Sequence, residues 1–450
     1  RSAIQTTAID TFTYQVRDAA GNTTQSTLKI NMAPVNDAAV IGGVSSASVN
    51  ETNTAQTATG TLTITDVDSA ATFLAQANVT GTNGYGKFSL TSAGVWTYTM
   101  NTAHDEFAAG VNYTDSFTAT SADGTTKLVT VTMKGTNDQP TFTSTATISL
   151  STTEDTAYNF VIANSLVGKV TDVDAGASVK GIAISWNQAP IDQGVWEWST
   201  DGSTWTAVPA DITGAATSFN NPANALYLNA SDRLRFTPAA NWNGNVNALV
   251  FRVADDTMPA TVSGTRLNVS SYNGSTGPMS LSPSSYTLSV SAANDAPVVN
   301  QATVIDMTTQ LEDAAAPVNG NTTAGTAVSS LVGALSDVDP GALKGIAITA
   351  ISGAGTLYYT INNGSTWTAI NNADIGTGKA LLLDSSSRVF FKTSANWNGY
   401  NDNVIWYRGW DETNLSSTVK VGDKVDVGAT GDGSGLNGGT SSFSALQGKV

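Results

Sequence analysis

Acidic side chains recur in this sequence at spacings that suit a hard cation. Three Asp-Val-Asp triplets carry the carboxylates of Asp66 and Asp68, Asp172 and Asp174, and Asp337 and Asp339. An acidic residue precedes each triplet early in its stretch of sequence, namely Glu51, Glu154 and Glu312. Calcium takes about six to eight oxygen ligands at about 2.3–2.6 Å, so carboxylates gathered from several loops can bind it. In the alternative interpretation, each triplet caps a turn through side-chain-to-backbone hydrogen bonds, with its valine in the core.

An Asn-Asp dipeptide is the next repeated feature. Each dipeptide follows a stretch of alternating apolar residues and lies near a proline, a pattern that predicts the end of a strand. We interpret each as a linker after the last strand of a repeat, with its oxygens as further candidate ligands. The dipeptides are Asn36-Asp37, Asn137-Asp138 and Asn294-Asp295. Weaker candidate ligands are Asp18, Asp255 and Asp411.

The linkers divide the chain into four units. Residues 1–36 would be the last strands of a preceding repeat, and residues 37–138 one complete unit. Residues 139–295 and 296–450 would be two longer units, the second of them truncated. The longer units repeat each other: Lys180-Gly-Ile-Ala-Ile184 recurs as Lys344-Gly-Ile-Ala-Ile348, and Asn241-Trp-Asn-Gly244 recurs as Asn396-Trp-Asn-Gly399.

Almost every segment has the pattern of a short strand. Period-two alternation and the abundance of Thr, Ser, Val and Gly favour strands over helices. Asp201-Gly202 and Asn363-Gly364 predict type I′ hairpin turns, because both positions of that turn need a positive φ. The stretch Gly431-Asp-Gly-Ser-Gly-Leu-Asn-Gly-Gly439 is interpreted as a flexible glycine loop. The predicted fold is all-β, an elongated array of tandem antiparallel β-sandwich domains.

Composition excludes several chemistries. The 450 residues contain 20 Lys and Arg against 36 Asp and Glu, a net charge of −16, which does not suit binding to nucleic acid. With no cysteine and one histidine, the chain offers no thiolate nucleophile and no Cys/His zinc site. His104 is predicted to be an exposed, non-catalytic turn residue. No apolar run reaches the roughly 20 residues that cross a bilayer, so direct membrane insertion is not expected.

The ten tryptophans suggest core positions and one alternative. Trp205 and Trp242 recur in register as Trp367 and Trp397, and a repeated tryptophan is most simply a core residue of a sandwich. Some tryptophans do not recur and could instead stack against sugar rings of surface glycans: Trp186, Trp406 and Trp410. An enzyme is not expected, because no pair of acids is set apart from the repeated pattern.

Residues 51–140 resemble a VCBS repeat, a bacterial cadherin-like or immunoglobulin-like module. The resemblance lies in Gly60-Thr-Leu-Thr-Ile-Thr-Asp-Val-Asp68, Gly94-Val-Trp-Thr-Tyr98 and Gly135-Thr-Asn-Asp138, which occur in that order. The longer units look like related cadherin-like repeats. The resemblance implies calcium ligands at Glu51, Asp66, Asp68, Asn137 and Asp138 and at their counterparts in the later units.

The resemblance also implies a function and a location. Such repeats form stalks of giant bacterial surface adhesins, which act in surface attachment, cell–cell adhesion or biofilm. The expected partners are neighbouring repeats of the same protein, and the expected location is extracellular. Two alternatives stay open: a subunit of a polymeric extracellular filament or matrix, and a glycan-binding module. Residues 1–36 could pair with another chain by strand addition, although truncation is the simpler explanation.

Overall fold

The computed structural model describes residues 8–32, 35–144, 147–209, 222–429 and 436–450. Strands form nearly all of its regular structure, and α1 (Ile162–Leu166) is a single helical turn. The predicted glycine loop lies partly outside the described residues, since its positions 431–435 are not among them.

The first described element is an isolated antiparallel hairpin. Strand β1 (Ala8–Arg17) pairs with β2 (Thr23–Met32), and Phe12 faces Leu28 across the ladder. Period-two alternation places the apolar residues on one face. That face is solvent-exposed within the described part of the chain, as shown by its members Phe12, Tyr14, Val16, Leu28, Ile30 and Met32.

Residues 37–138 fold as two facing sheets. One sheet has the strand order β3-β5-β8-β7-β6 and the other β4-β10-β9. Their inward side chains form one core around Phe88, Trp96 and Val131. The strands are β3 (Val40–Gly43), β4 (Ser46–Asn50), β5 (Thr57–Thr65), β6 (Gln76–Thr80), β7 (Gly86–Leu90), β8 (Val95–Met100), β9 (Asn112–Thr120) and β10 (Thr126–Lys134).

Residues 139–295 form a larger sandwich of a six-stranded and a four-stranded sheet. The strand orders are β12-β22-β20-β15-β18-β21 and β13-β19-β16-β17, and β11 pairs with β14 beside them. The strands are β11 (Thr141–Phe142), β12 (Thr147–Thr153), β13 (Tyr158–Val161), β14 (Val170–Thr171), β15 (Val179–Asn187), β16 (Gly194–Ser199), β17 (Thr206–Ala207), β18 (Ala225–Asn229), β19 (Arg233–Pro238), β20 (Gly244–Asp255), β21 (Arg266–Leu267) and β22 (Ser284–Ser291).

Residues 296–450 repeat this plan. A five-stranded sheet, β32-β29-β26-β31-β33, faces a four-stranded sheet, β24-β30-β27-β28, and β23 pairs with β25. The strands are β23 (Val298–Val299), β24 (Thr326–Ala327), β25 (Leu335–Ser336), β26 (Gly345–Ile351), β27 (Gly355–Thr360), β28 (Thr368–Ile370), β29 (Ala380–Leu383), β30 (Arg388–Thr393), β31 (Ile405–Trp410), β32 (Lys424–Val425) and β33 (Phe443–Lys449).

The predicted all-β sandwich array is confirmed, with one difference in strand direction. Strand β4 runs parallel to β10, and β12 runs parallel to β22. In these two units the second strand therefore lies beside the last strand of the same unit. As a result, Glu51 and Glu154, which directly follow β4 and β12, are close to the linkers that follow β10 and β22.

Two buried arginines, one in each of the longer units, bind main-chain carbonyl oxygens in or just before the last strand of the unit. Arg252 donates from Nη1 to the carbonyl oxygens of Ser280 and Leu281, and Arg408 donates from Nη1 to those of Ser444 and Ala445. A buried guanidinium needs such acceptors to offset its desolvation. The repeated arginine thus fixes the chain that returns to the last strand.

Tryptophan burial differs from the sequence-based expectation. The repeated residues Trp205, Trp242, Trp367 and Trp397 are half-buried rather than fully buried, although Trp242 packs against the core of its unit. The fully buried tryptophans are Trp96, Trp196 and Trp410. Repetition of a tryptophan in the sequence therefore does not show how deeply its side chain is buried. Trp205, for example, is covered by the guanidinium group of Arg235, which lies 4.1 Å from its ring centroid in a cation–π contact.

The two predicted hairpin turns also differ from each other. Asn363 and Gly364 both have positive φ, as a type I′ turn requires. At the other turn only Gly202 has a positive φ, and the hairpin joins β16 to β17 through six residues. There the Asp201 carboxylate caps the loop by accepting from the main-chain nitrogens of Ser203 and Thr204.

Candidate metal centres at the repeat junctions

The linker at Asn137-Asp138 joins residues 37–138 to the following repeat through carboxylates. The main-chain nitrogen of Asp138 donates to Oδ2 of Asp174 at 3.1 Å. The main-chain nitrogen of Asp174 in turn donates to Oδ1 of Asp172 at 3.1 Å. The linker therefore sits directly on the Asp-Val-Asp triplet of the next repeat, and Asp138 and Asp174 are both buried.

Two further acidic residues of the preceding repeat form a cluster with Asp138. Glu51 is buried, and its Oε2 accepts from the main-chain nitrogen of Thr136 at 3.1 Å and from its hydroxyl at 2.6 Å. Carboxylate oxygens of Glu51, Asp105 and Asp138 lie within 4.8 Å of one another. Two ligands on opposite sides of one calcium ion are about 4.8 Å apart, so one ion can contact all three.

Asn137 anchors the same linker with its side-chain amide. Its Nδ2 donates to Oδ2 of Asp255 at 3.2 Å and to the carbonyl oxygen of Gly277 at 3.1 Å. Asp255 is buried at the end of β20. The amide nitrogen therefore makes structural contacts. The Oδ1 atom of Asn137 is left as a candidate ligand for a cation.

The linker at Asn294-Asp295 repeats these contacts. The main-chain nitrogen of Asp295 donates to Oδ2 of Asp339 at 2.8 Å, and that of Asp339 donates to Oδ1 of Asp337 at 3.0 Å. The Nδ2 of Asn294 donates to Oδ2 of Asp411 at 2.8 Å. The two junctions are therefore built in the same way from equivalent residues.

A second three-carboxylate group lies at this junction. Oxygens of Glu154, Asp295 and Asp339 lie within 4.8 Å of one another. Glu154 is buried and accepts from the main-chain nitrogen of Ala293 at 2.7 Å. Asn243, in the repeated Asn-Trp-Asn-Gly motif, donates from Nδ2 to the other oxygen of Glu154 at 3.2 Å.

The linker at Asn36-Asp37 shows the same docking on residues 37–138. The main-chain nitrogen of Asp37 donates to Oδ2 of Asp68 at 3.2 Å, and that of Asp68 donates to Oδ1 of Asp66 at 3.0 Å. Asp123 takes the place of Asp255, with the Asn36 amide at 3.5 Å. Each linker thus contacts the triplet that follows it in the chain.

The Asp-Val-Asp triplets do cap turns, but turn capping uses only one of the two carboxylate oxygens of the first aspartate in each triplet. In each triplet the Oδ1 of the first aspartate accepts the main-chain hydrogen bond, while its Oδ2 is buried and has no partner among the described residues; the three aspartates are Asp66, Asp172 and Asp337. The intervening valines are exposed rather than in the core, with Val67 80% accessible. Turn capping alone does not account for these motifs.

Further buried oxygens at the junctions also lack a donor within the described part of the chain. They are Oδ1 of Asp105, Oδ1 of Asn137, Oδ2 of Asp138, Oδ1 of Asp174 and Oδ2 of Asp295. Among the described residues, none of these carboxylates forms a salt bridge with lysine or arginine. Buried carboxylate oxygens are costly without a partner. An all-oxygen set of this kind fits a hard divalent cation such as calcium.

Burial changes the acidity of these groups. Desolvation raises the pKa of Asp174 to about 6, and the neighbouring charges of Asp172 and Asp138 add to the rise. Desolvation also raises the pKa of Asp172, and it raises that of Asp138 together with the charge of Glu51. At the second junction the pKa values of Asp295 and Asp337 are raised, chiefly by desolvation. The ion-free clusters therefore resist full ionisation.

The resemblance grouped the candidate ligands of each unit into one site, but the structure places them at two different junctions. Asp138 contacts the triplet of the next repeat and lies beside Glu51, whereas Asp66 and Asp68 contact the linker of the preceding unit. Glu312 is exposed and accepts from Nδ2 of Asn398 at 3.3 Å, as Glu154 does from Asn243. It lies in neither of the two carboxylate groups found among the described residues.

Sequence reasoning missed two acidic residues and underrated two others. Asp105 belongs to the first cluster, but it occurs once and so carried no repeat signal. Asp123 was not assigned as a ligand, although its Oδ2 accepts from the side-chain amide of Asn36 in the first linker. Asp255 and Asp411, ranked below the triplets, contact the linker asparagines directly, whereas exposed Asp18 accepts from the main-chain and side-chain nitrogens of its neighbour Asn22.

His104 is buried, so its predicted exposure was wrong. It is 8% accessible, and its ring stacks on Phe107 with centroids 4.8 Å apart. Nδ1 contacts the Glu106 carboxylate at 2.7 Å, and Nε2 contacts Oδ1 of Asn101 at 2.6 Å. These contacts hold the loop that carries Asp105, which gives His104 a structural role beside the first cluster.

The three tryptophans predicted for glycan stacking are not equivalent. Trp410 is fully buried, and its Nε1 donates to Oδ1 of Asn414 at 2.8 Å, so it cannot stack against a ligand. Trp406 is half-buried under the ammonium group of Lys449, 4.7 Å from its ring centroid. Trp186 is half-buried in β15.

Comparison with protein families gives one match. Residues 36–135 match the family described as "Bacterial cadherin-like domain". This stretch is therefore a bacterial cadherin-like repeat, as the sequence resemblance predicts. The match starts at the first Asn-Asp linker and contains Glu51, Asp105 and Asp123. No curated protein matches the chain.

Solved structures similar to this chain are tandem cadherin domains. The protocadherin gammaB7 EC3-6 cis-dimer structure is 14% identical, with a TM-score of 0.40, and the match covers 85% of this chain and 82% of that one. Mouse cadherin-23 EC22-24 is 12% identical, with a TM-score of 0.34, covering 82% and 93%. Among the described residues, no helix is long and apolar enough to cross a membrane.

Proposed function

We propose that this chain is a non-catalytic, extracellular adhesion-type module whose repeats are locked end to end by calcium. The observation that carries the proposal is the second junction. There, carboxylate oxygens of Glu154 and Asp295 from one repeat and of Asp339 from the next lie within 4.8 Å of one another. A cation bound between them would tie both repeats to one point.

The proposed mechanism is electrostatic. Without an ion, Asp138 is repelled by Glu51 and Asp174 is repelled by Asp138, so the linker favours conformations that separate them. Calcium replaces this repulsion by attraction, and it binds the docked arrangement better than any separated one. Binding therefore stabilises both the folded repeats and their mutual orientation. The protein residues position the oxygens, since Asn137 and Asn294 fix each linker with their amides.

At the scale of the whole chain, this mechanism makes a stalk. The repeats at 37–138, 139–295 and 296–450 would be successive segments of one rod. The hairpin of β1 and β2 would belong to a further repeat. A stiff stalk of this kind holds a binding domain away from a bacterial surface for attachment, cell–cell adhesion or biofilm. We prefer this function to glycan binding, because Trp410 is buried and Trp406 is covered by Lys449.

Differential scanning calorimetry with calcium and with EDTA tests the proposal. A bound ion at 100 times its Kd adds about 2.7 kcal/mol per site, so we expect Tm to rise by several degrees in calcium. The Asp138→Asn variant should lose part of this rise. The exposed residue Asp192 provides the control, since Asp192→Asn should retain all of it. An identical Tm in calcium and EDTA would overturn the proposal.

A further inference from the structure

The junctions at Asn137-Asp138 and Asn294-Asp295 differ in what crosses the boundary between the repeats. At the first junction, the main-chain nitrogen of Ala175 donates to the carbonyl oxygen of Glu106 at 3.1 Å. Glu106 lies in the repeat before the linker and Ala175 in the repeat after it, so this bond joins the two repeats directly. At the second junction, every hydrogen bond between described residues that crosses the boundary involves the linker itself.

A difference in sequence accounts for part of this contrast. The residue after the Asp-Val-Asp triplet is Ala175 in one repeat and Pro340 in the next. Each occupies the second position of an equivalent turn, closed by a main-chain hydrogen bond of 3.2 Å in both repeats. Proline has no N–H group, so Pro340 cannot donate as Ala175 does.

The acceptor at the first junction lies in a turn that its own repeat holds in place. The main-chain nitrogen of Phe107 closes this turn by donating to the carbonyl oxygen of His104 at 3.0 Å. The ring of Phe107 stacks between those of His104 and Tyr113, with centroids 4.8 and 3.9 Å away. The Glu106 carbonyl oxygen is therefore preorganised, and little conformational entropy is lost when the next repeat docks on it.

The repeat before the second junction is built differently at this place. Residues 101–111 join β8 to β9, whereas the shorter segment 239–243 joins β19 to β20. Within the shorter segment, Asn243 donates to Glu154 of its own repeat at 3.2 Å. Among the described residues, no carbonyl oxygen of 239–243 accepts from the following repeat.

The three-carboxylate groups show the opposite contrast. At the first junction, all three carboxylates belong to the repeat before the boundary: Glu51, Asp105 and Asp138. At the second junction, Glu154 and Asp295 precede the boundary, but Asp339 belongs to the repeat after it. A cation bound by the second group would therefore contact both repeats at once.

We infer that the two junctions are held by different means: the first by the calcium-independent Ala175–Glu106 contact, and the second by a cation that bridges the repeats. When calcium is removed, the chain therefore bends less at Asn137-Asp138 than at Asn294-Asp295. One neutral hydrogen bond changes an equilibrium by about 2- to 10-fold, so the contact opposes the carboxylate repulsion without abolishing it. The role of the cation rests on the proposed function, whereas the Ala175–Glu106 contact does not.

Distances between pairs of spin labels test each junction separately, since the chain has no cysteine. The labels replace exposed serines, with Ser92→Cys/Ser203→Cys across the first junction and Ser203→Cys/Ser365→Cys across the second. Double electron–electron resonance should give narrow distance distributions for both pairs in calcium. In EDTA we expect the Ser203/Ser365 distribution to broaden more than the Ser92/Ser203 distribution. Equal broadening of the two would overturn the inference.

The variant Ala175→Pro isolates the direct contact. It removes the donated hydrogen, and Pro340 shows that this turn accommodates proline. In EDTA, the ratio of docked to undocked first junctions should fall about 2- to 10-fold, which broadens the Ser92/Ser203 distribution. An unchanged distribution in this variant would overturn the contact.

The matched control is Pro340→Ala at the second junction. It restores an N–H group where no acceptor faces it among the described residues, so the Ser203/Ser365 distribution in EDTA should not change. Hydrogen exchange in the unmodified sequence gives a readout that needs no variant. The Ala175 amide should exchange more slowly in EDTA than its intrinsic rate, and exchange at the intrinsic rate would also overturn the contact.

These outcomes separate the inference from the proposed function. If EDTA broadens both distributions equally, calcium still holds the array, but the difference between the junctions fails. If EDTA broadens neither, the calcium function fails, and Ala175→Pro alone then decides whether the direct contact holds the first junction.

Discussion

The main-chain nitrogen of Asp138 donates to the Asp174 carboxylate at 3.1 Å across the boundary between two repeats. This contact makes the linker part of the next repeat's acidic turn, and Asp295 and Asp339 repeat it at 2.8 Å. Calcium at these points would control how one repeat is oriented on the next.

Replacing Asp174 by asparagine should have opposite effects with and without calcium. Asparagine Oδ1 can still accept from the Asp138 nitrogen, but one negative charge is lost. In EDTA we expect a higher Tm than that of the unmodified chain, because repulsion is relieved. In calcium we expect a smaller Tm rise, because a ligand charge is missing. A scanning calorimeter measures both, and a variant that lowers Tm equally in the two conditions would indicate a purely structural role.

The ion-free chain should lose stability as pH rises from about 4 to about 6. Burial raises the folded-state pKa of Asp174 from 3.8 to about 6. The folded state then binds more protons than the unfolded state across this window, so the free energy of unfolding falls as pH rises. Chemical denaturation in EDTA at several pH values measures the slope. Asp174→Asn should reduce it, and an unchanged slope in that variant would contradict the assignment.

The linker asparagines should contribute to stability through their amide groups. Asn137→Ala removes donors to the buried Asp255 carboxylate and to the Gly277 carbonyl oxygen. We expect a loss of about 1–3 kcal/mol, because a buried acceptor is left unsatisfied. Asn294→Ala should cost a similar amount at the second junction, whereas Asn245→Ala, at an exposed strand position, should be nearly neutral. Urea unfolding followed by circular dichroism compares the three variants.

Two tryptophans of β31 should respond differently to truncation. Trp410 is fully buried, so Trp410→Ala should destabilise the last unit by about 3–5 kcal/mol. Trp406 is half-buried beneath Lys449, and Trp406→Ala should cost much less. Calorimetry resolves this if the last unit melts separately. Comparable losses in the two variants would mean that the burial difference does not control stability.

Much of the fold could be predicted because its signals are local and repeated. Alternation at Val129, Val131 and Met133 predicts a half-buried strand, and all three side chains are buried in β10. The linker positions followed from the same pattern. The parallel pairing of β4 with β10 could not be predicted, because strand direction depends on contacts between residues far apart in sequence.

The candidate site was only partly predictable for a related reason. Repetition marked Asp66, Asp172 and Asp337, but it did not show that each triplet receives the linker of the preceding unit. Asp105 has no repeated counterpart, so only the folded loop beside His104 brings it to Glu51 and Asp138.

Small-angle X-ray scattering of the full chain tests the central claim most directly. We predict a narrow range of extended conformations in calcium, and after EDTA a broader distribution of distances from bending at the Asn137-Asp138 and Asn294-Asp295 linkers. The double variant Glu51→Gln/Glu154→Gln should scatter in calcium more like the EDTA-treated chain. Superimposable curves in calcium and EDTA would contradict the claim that calcium stiffens this array.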